Sequence, residues 1–184
     1  MTEPTIAVIT PTIPERICEL VDAMGTVADQ TVPVTEHLIG VDYQRVGPAA
    51  VRNRLMAATL AEWVAFLDDD DLLDPDHLEI LLSHAADADV VIPYCRFEGT
   101  PLPAKFCNQK FSRGKLADHG IFPITVLARR SAILEVGGFW TTDRYEDWSM
   151  FNRLADRGGR FVVVPKATWT YRRTSAANRT DGTL

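Results

Sequence analysis

The sequence predicts an α/β fold, a mostly parallel sheet with helices on both faces, and three observations predict it. Short apolar runs alternate with helical patterns four times in the first 92 residues, the order that βαβ units produce. The strongest run, Trp63–Leu67, is apolar throughout, as a strand covered on both faces must be. At 184 residues, 46% hydrophobic and 24% charged, the chain has the size and composition of one ordinary globular domain with a real core.

Each element has a local reason. Ile6–Thr10 reads as a buried strand closed by Pro11 and Pro14, and Ile17, Leu20, Val21 and Met24 then recur at helical spacing. His37–Val41 is a second strand ending at Asp42. Pro48 suits the first turn of a helix whose apolar stripe is Val51, Leu55 and Ala58. After the strand at 63–67, Asp74-Pro75 reads as a helix cap and first position, with Leu78, Leu81, Leu82 and Ala85 as the buried face. Val90–Ile92 is the fourth strand.

The pattern then changes. Residues 98–120 read as a loop, with Gly99, Pro101, Pro103 and Gly114. They carry Lys105, Lys110, Arg113 and Lys115, and so suggest either a solvated surface loop or a lid. Order returns with Ile124–Ala128 and a short helix from Ser131 to Val136, stopped by Gly137-Gly138. Glu146-Asp147 opens another helix, with Trp148, Phe151, Leu154 and Ala155 as apolar positions and Gly158-Gly159 as its end. Phe161–Val164 is a final strand. Residues 1–174 are expected to form the domain, and 175–184 a flexible C-terminal tail.

Bulk properties exclude several functions. A net charge of -6 argues against general nucleic-acid binding, which needs a basic face. No apolar run approaches the roughly 18 residues of a membrane span. The N-terminus lacks the pattern of a signal peptide. Three scattered cysteines, Cys18, Cys95 and Cys107, without CxxC spacing, suit a reduced, cytoplasmic setting and argue against zinc. His37, His77, His84 and His119 form no metal-ligand pattern.

The chemistry-bearing feature is Asp68-Asp69-Asp70-Asp71, four carboxylates at the carboxyl end of a buried strand. In open α/β sheets, ligands bind at that end. Crowded carboxylates repel one another unless a cation sits among them, and oxygen-only ligands suit Mg²⁺ or Mn²⁺. If the strand stays extended, Asp68 and Asp70 point to the same side and can share one ion. Three further features fall where a sheet edge could gather them: Thr10-Pro11-Thr12, Asp42, and Glu146-Asp147. An EF-hand fails because Leu73 stands where the loop requires Gly. A D-x-D phosphatase would carry its motif on the first strand, not the third.

In this order the motifs resemble the inverting glycosyltransferases of family 2, with the GT-A (Rossmann-like) fold. Ala7–Thr12 is similar to the family's opening strand, and Val41-Asp42 to its second-strand Asp. Gly47–Asn53 resembles its Gly-x-x-x-Ala-Arg-Asn helix start, and Phe66–Asp71 its Leu-Asp-x-Asp-Asp metal motif. Arg129 through Gly137-Gly138-Phe139 resembles the stretch before the acceptor site, and Tyr145–Trp148 the Glu-Asp-Trp catalytic motif. The resemblance covers residues 5 to about 173.

What it implies is transfer of a sugar, with inversion, from a nucleotide-diphosphate donor such as a UDP-sugar to an acceptor hydroxyl, with Mn²⁺ or Mg²⁺. The acceptor is open among glycan, lipid, protein and modified nucleotide. The resemblance places Thr10, Pro11, Thr12, Asp42, Arg52, Asp68 and Asp69 on the donor, Asp42 at its base. It places Asp70 on the ion with Asp68 and Asp71, and makes Asp147 the general base beside Glu146. Glu146 would raise the pKa of the pair and a helix N-terminus would lower it. The family often has a late His ligand after a Tyr-Arg pair. Tyr171-Arg172-Arg173-Thr174 has none, so Arg172 or Arg173 is a candidate phosphate contact instead. A metal-dependent nucleotidyltransferase and an inactive nucleotide-sugar-binding protein are the alternatives.

Overall fold

A computed structural model describes residues 3–141 and 145–173. Seven strands form a mixed sheet in the order β2-β1-β3-β6-β5-β7-β4. They are β1 (Ile6–Thr12), β2 (Glu36–Val41), β3 (Trp63–Phe66), β4 (Leu72–Leu73), β5 (Val90–Gly99), β6 (Leu127–Arg129) and β7 (Phe161–Arg173). The helices are α1 (Ile17–Ala28), α2 (Pro48–Ala58), α3 (His77–Ser83), α4 (Arg113–Asp118), α5 (Arg130–Glu135) and α6 (Glu146–Asp156). β1 pairs in parallel with β2 and β3, and β5 with β7; β6 and β4 run the other way. The predicted mostly parallel sheet is therefore present, with one insertion that alternation does not reveal. β6 slots between β3 and β5, so that Ala128 faces both Val64 and Val90.

Both faces are covered, which is why β1 and β3 are buried along their whole length. Ala7, Ile9, Val64 and Phe66 point into one core with Val51, Leu55, Ile133, Met150 and Phe151 of α2, α5 and α6. Ile6, Val8, Trp63, Ala65 and Leu67 point into the other, with Ala23 and Val27 of α1 and Leu78 and Leu81 of α3.

Several expected details are corrected. α1 buries Leu20, Ala23 and Val27, while Ile17, Val21 and Met24 are exposed. Two stripes lie at helical spacing on this helix, and the one with the small Ala23 packs closest to the sheet. In α2, Met56 rather than Ala58 completes the buried face. α3 starts at His77; Asp74 is not its cap, because its carbonyl accepts the His77 N–H (3.0 Å) in a turn and its carboxylate pairs with Arg96. Residues 98–120 are not one long loop. β5 runs to Gly99, a 3₁₀ turn spans Ala104–Phe106, and α4 is capped by the Ser112 side chain. Cys107 and Leu116 anchor the segment in the core.

β7 continues nine residues beyond the predicted Val164, pairing with β5 across register shifts at Tyr94. Cys95 and Cys107 are buried and Cys18 is exposed. Burial, with Cys107 beside it, pushes the Cys95 thiol up to about 12. The proposed tail lies outside the described residues. Among those described, no helix is long and apolar enough to cross a membrane.

Candidate active site

The ladder of β3 ends when the Leu67 N–H reaches the Ile9 carbonyl (3.1 Å), and the chain then turns, the Asp71 N–H closing on the Asp68 carbonyl (3.1 Å). The four carboxylates are therefore not on an extended strand. The turn, not the pleat, brings Asp68 beside Asp70. Arg16, which the sequence reading missed, covers the turn from the start of α1, one nitrogen lying 2.9 Å from Asp69 Oδ1 and 3.3 Å from Asp70 Oδ2. A single basic residue just beyond β1 and Pro14 was the available signal.

Asp69 is buried against Arg16 and the Thr12 hydroxyl; burial nonetheless raises its pKa. Thr10, by contrast, is buried with its hydroxyl 3.0 Å from His37 Nε2. Of the Thr10-Pro11-Thr12 set, Thr12 is the residue whose side chain meets the acidic turn. Asp71 faces inward: it is 2% exposed and accepts the Arg172 N–H (3.0 Å). The Arg172 guanidinium donates to the Asp70 carbonyl and to Asp22 (3.1 Å), so it braces the turn. The side chain of Arg173 is not among those described.

Charge is out of balance here. Burial and the neighbouring Asp68 push Asp70 up to about 6, and Arg16 only partly opposes them. Burial, then Asp68 and Asp70, hold Asp71 well above the usual carboxylate range. Asp70, whose raised proton affinity comes partly from the adjoining Asp68, is an oxygen donor of the kind a hard divalent cation prefers. No group of three or more His, Cys, Asp or Glu side chains is arranged to hold an ion among the described residues. Asp68 and Asp70 keep 34% and 15% of their side chains exposed, so they are the carboxylates of the turn that a cation from solvent can reach.

Arg52 joins this turn to the second acidic pair. Gly47, at φ 91°, and Pro48 set the start of α2, and α2 aims Arg52 at the sheet end. The side chain is 4% exposed, and its two terminal nitrogens lie 2.6 Å from Asp68 Oδ1 and 2.8 Å from Glu146 Oε1. The guanidinium also lies 5.6 Å from the centre of the Phe139 ring. In this arrangement the buried guanidinium bridges two carboxylates.

Next to it, Asn53 grips the Phe139 backbone, donating to its carbonyl (2.6 Å) and accepting its N–H (2.9 Å). Gly138 sits at φ 66°, and a Cβ there would lie 2.5 Å from Asn53 Oδ1. Phe139 then packs edge-on against Phe66 (5.3 Å). Arg52 and Asn53 thus knit the Asp-rich turn, Gly137-Gly138-Phe139 and Glu146-Asp147 into one unit. Asp42 is buried, and its two oxygens accept the N–H groups of Val46 (3.0 Å) and Gly47 (2.8 Å). Burial pushes its pKa up, but these bonds and Arg45 bring it below the ordinary value. Its first task is to shape the loop that starts α2.

Asp147 is half-buried at the first turn of α6, with Oδ1 accepting its neighbour's Trp148 N–H (2.7 Å). Burial and then Glu146 push it up to about 6, against the Trp148 N–H and Arg52. The raising influences outweigh the helix terminus. Of the cations on residues 98–120, Arg113 reaches Asn152 (2.9 Å) and Asp156 of α6, and Lys115 reaches Gln109 (2.9 Å).

Comparison with known proteins identifies the family and the fold. Residues 41–174 match the model of glycosyl transferase family 2. The pre-mycofactocin glycosyltransferase of Mycobacterium tuberculosis is 31% identical over 136 residues, which cover 66% of this chain and 29% of that protein. S. aureus TarS, solved in complex with UDP-GlcNAc, superposes with a TM-score of 0.77 at 15% identity, over 94% of this chain and 59% of that one. The mannosyltransferase PcManGT from Pyrobaculum calidifontis, solved with GDP-Man and Mn²⁺, gives 0.69 at 18% identity, over 93% and 57%. The chain spans under a third of the curated relative and under two thirds of these solved chains. The structural likeness carries the fold, the family model carries the sequence pattern, and the chain belongs to glycosyl transferase family 2.

Proposed function

We propose that this glycosyltransferase moves a sugar from a nucleotide-diphosphate donor, a UDP-sugar in the first instance, to an acceptor hydroxyl with inversion at the anomeric carbon. The observation that carries the reading is the Arg52 bridge, which joins the acidic turn to Glu146 and Asp147 through one buried guanidinium. A donor held at the turn then lies beside a carboxylate able to take a proton.

Asp70 and Asp68 would hold Mn²⁺ or Mg²⁺, which when bound supplies positive charge to the departing diphosphate. Arg16 is placed to release Asp70 to the ion while keeping Asp69. Thr12 and Asp69 shape the donor floor, and Asp42 holds the loop that would meet the nucleobase. Asp147, with a pKa near 6, is ionised at neutral pH and accepts the proton of the attacking hydroxyl. Arg52 keeps Glu146 in place beside it. A single displacement needs this base and no enzyme nucleophile, hence the inversion.

The test couples binding to turnover. UDP-, GDP- and dTDP-sugars are screened by thermal shift with and without Mn²⁺; a ligand of the folded state raises the melting temperature. Asp147→Asn is then compared with the parent protein in transfer. Donor affinity stays within a few-fold and the transfer rate falls by roughly 10²–10⁴. Retained anomeric configuration in the first-formed product, read by NMR, contradicts the base assignment. Release of sugar 1-phosphate, the group expelled when the nucleotidyl moiety rather than the sugar is transferred, would point to a nucleotidyltransferase.

A further inference from the structure

Two large aromatic rings stand exposed on residues that precede Glu146-Asp147 in the chain: Trp140 is 50% exposed and Tyr145 53%. Trp140 is also held in place. The Arg153 guanidinium lies 3.9 Å from the centre of its ring. That guanidinium is itself pinned by three acceptors: the Val136 carbonyl (3.1 Å), the Ser149 hydroxyl (2.8 Å) and the Gly138 carbonyl. One face of the indole therefore rests on a fixed cation, and half of the residue meets solvent.

Its position ties it to the active site. Glu146, Ser149 and Arg153 recur at i, i+3 and i+7 and so share a face of α6. Arg153 stands about 10 Å along the helix from Glu146, at 1.5 Å per residue. Trp140 also follows directly on Phe139, whose ring lies against Arg52. Tyr145 immediately precedes Glu146 and packs against the Trp148 ring at 6.0 Å.

We propose that Trp140, aided by Tyr145, is a stacking platform for a pyranose ring of the acceptor, and that the acceptor is a glycan. The inference rests on the glycosyltransferase reading above and names the acceptor class for that same site. An aromatic face is electron-rich and pairs with the C–H-bearing face of a sugar. A ring already fixed on Arg153 loses little freedom on binding, so its contact area counts in full. The surroundings fit a sugar rather than an acyl chain: one face of Trp140 lies on the charged Arg153 guanidinium, whereas a lipid tail needs a contiguous apolar patch. The stacked ring would lie next to the reacting sugar, whose hydroxyl meets Asp147.

The test uses the intact protein with maltotriose, cellotriose and N,N′,N″-triacetylchitotriose as probes, followed by saturation-transfer NMR. At least one trisaccharide binds, with saturation concentrated on ring C–H protons. Trp140→Ala weakens that binding by about tenfold or more, whereas Trp140→Phe, which keeps a stacking face, stays within about threefold. Near-ultraviolet circular dichroism of each variant establishes that it is folded; should Trp140→Ala not fold, Trp140→Phe against Trp140→Leu replaces it. Absence of binding by all three trisaccharides overturns the proposal, as does equal binding by the Ala and parent proteins. Saturation of dodecyl phosphate chains in place of trisaccharides overturns it in favour of a lipid acceptor. Sugar-nucleotide binding measured in parallel separates the two readings. Donor binding without trisaccharide binding sinks the platform alone, and trisaccharide binding without any donor sinks the transferase reading.

Discussion

At the end of β3, four carboxylates crowd one turn, and the cation paired with the Asp70 carboxylate, Arg16, leaves about a fifth of its side chain in solvent. At the start of α6, two carboxylates face Arg52, which is 4% exposed. Both clusters contain an aspartate pushed up to about 6, Asp70 by burial and Asp68, Asp147 by burial and Glu146. The same shift has different uses. The turn has an exchangeable cation and an excess of negative charge, so it is suited to take up another positive ion. The helix start has a locked cation and one carboxylate left over, so it is suited to take up a proton.

Breaking the shared arginine should have the largest effect. Arg52→Met removes a buried cation from the half-buried Asp68 and Glu146, which are 34% and 15% exposed, and should cost up to about 3–5 kcal/mol in urea unfolding. Arg16→Gln, at a side chain that is 21% exposed and whose buried partner Asp69 keeps the Thr12 hydroxyl, should cost less, about 1–3 kcal/mol. Equal losses in the two variants would erase the distinction between a locked and an exchangeable cation.

The next effect is at the joint. Gly138→Ala places a methyl on Asn53 Oδ1 at a positive φ, and a loss of about 1–3 kcal/mol is expected, with transfer falling in parallel because Phe139 is displaced. Unchanged stability would mean that Asn53 moves freely.

Asp70→Asn tests the turn. It should abolish metal-dependent nucleotide binding by calorimetry yet raise the stability of the ligand-free protein by on the order of 1 kcal/mol, because a buried repelling charge is gone. A destabilised variant would show that Arg16 already balances the turn.

The smallest effect is on pH dependence. Asp70 and Asp147 hold protons up to about 6 in the folded chain, against an ordinary carboxyl value of 3.8. Between those values the folded state binds more protons than the unfolded one, so these groups stabilise the ligand-free protein as pH falls from 7 and lose that contribution as pH rises through 6. His77, pushed down to about 4 by burial, acts oppositely: the unfolded chain takes its proton first, and stability falls between pH 6.5 and 4. Removing one raised carboxyl in Asp70→Asn should shift the pH of maximum stability upward, read from urea midpoints. Activity should rise with pH up to about 6 and then level off, as Asp147 ionises.

Most of the sheet was legible because β1 and β3 are apolar on both faces, a local property. The insertion of β6 was not, since Leu127-Ala128-Arg129 pairs with strands far away in sequence. Nor was the exposed stripe of α1, because Ile17, Val21 and Met24 have the spacing of a buried face and only the close approach of Ala23 decides between the two. The acidic residues announced a site by their chemistry. Their partners did not: Arg16 is 53 residues from Asp69, and Arg52 is 94 from Glu146. Who holds whom in a site of long-range ion pairs is settled by the fold.

The cysteine arrangement has a practical consequence. Cys95 and Cys107 are sealed in the core, whereas Cys18 is exposed two residues beyond Arg16, the residue that covers Asp69 and Asp70. A thiol-reactive fluorophore should therefore attach to the unaltered protein at one place, on the helix whose first residues guard the acidic turn. Its emission would follow Arg16 as Mn²⁺ and sugar nucleotides arrive, turning an incidental cysteine into a built-in optical gauge of donor capture.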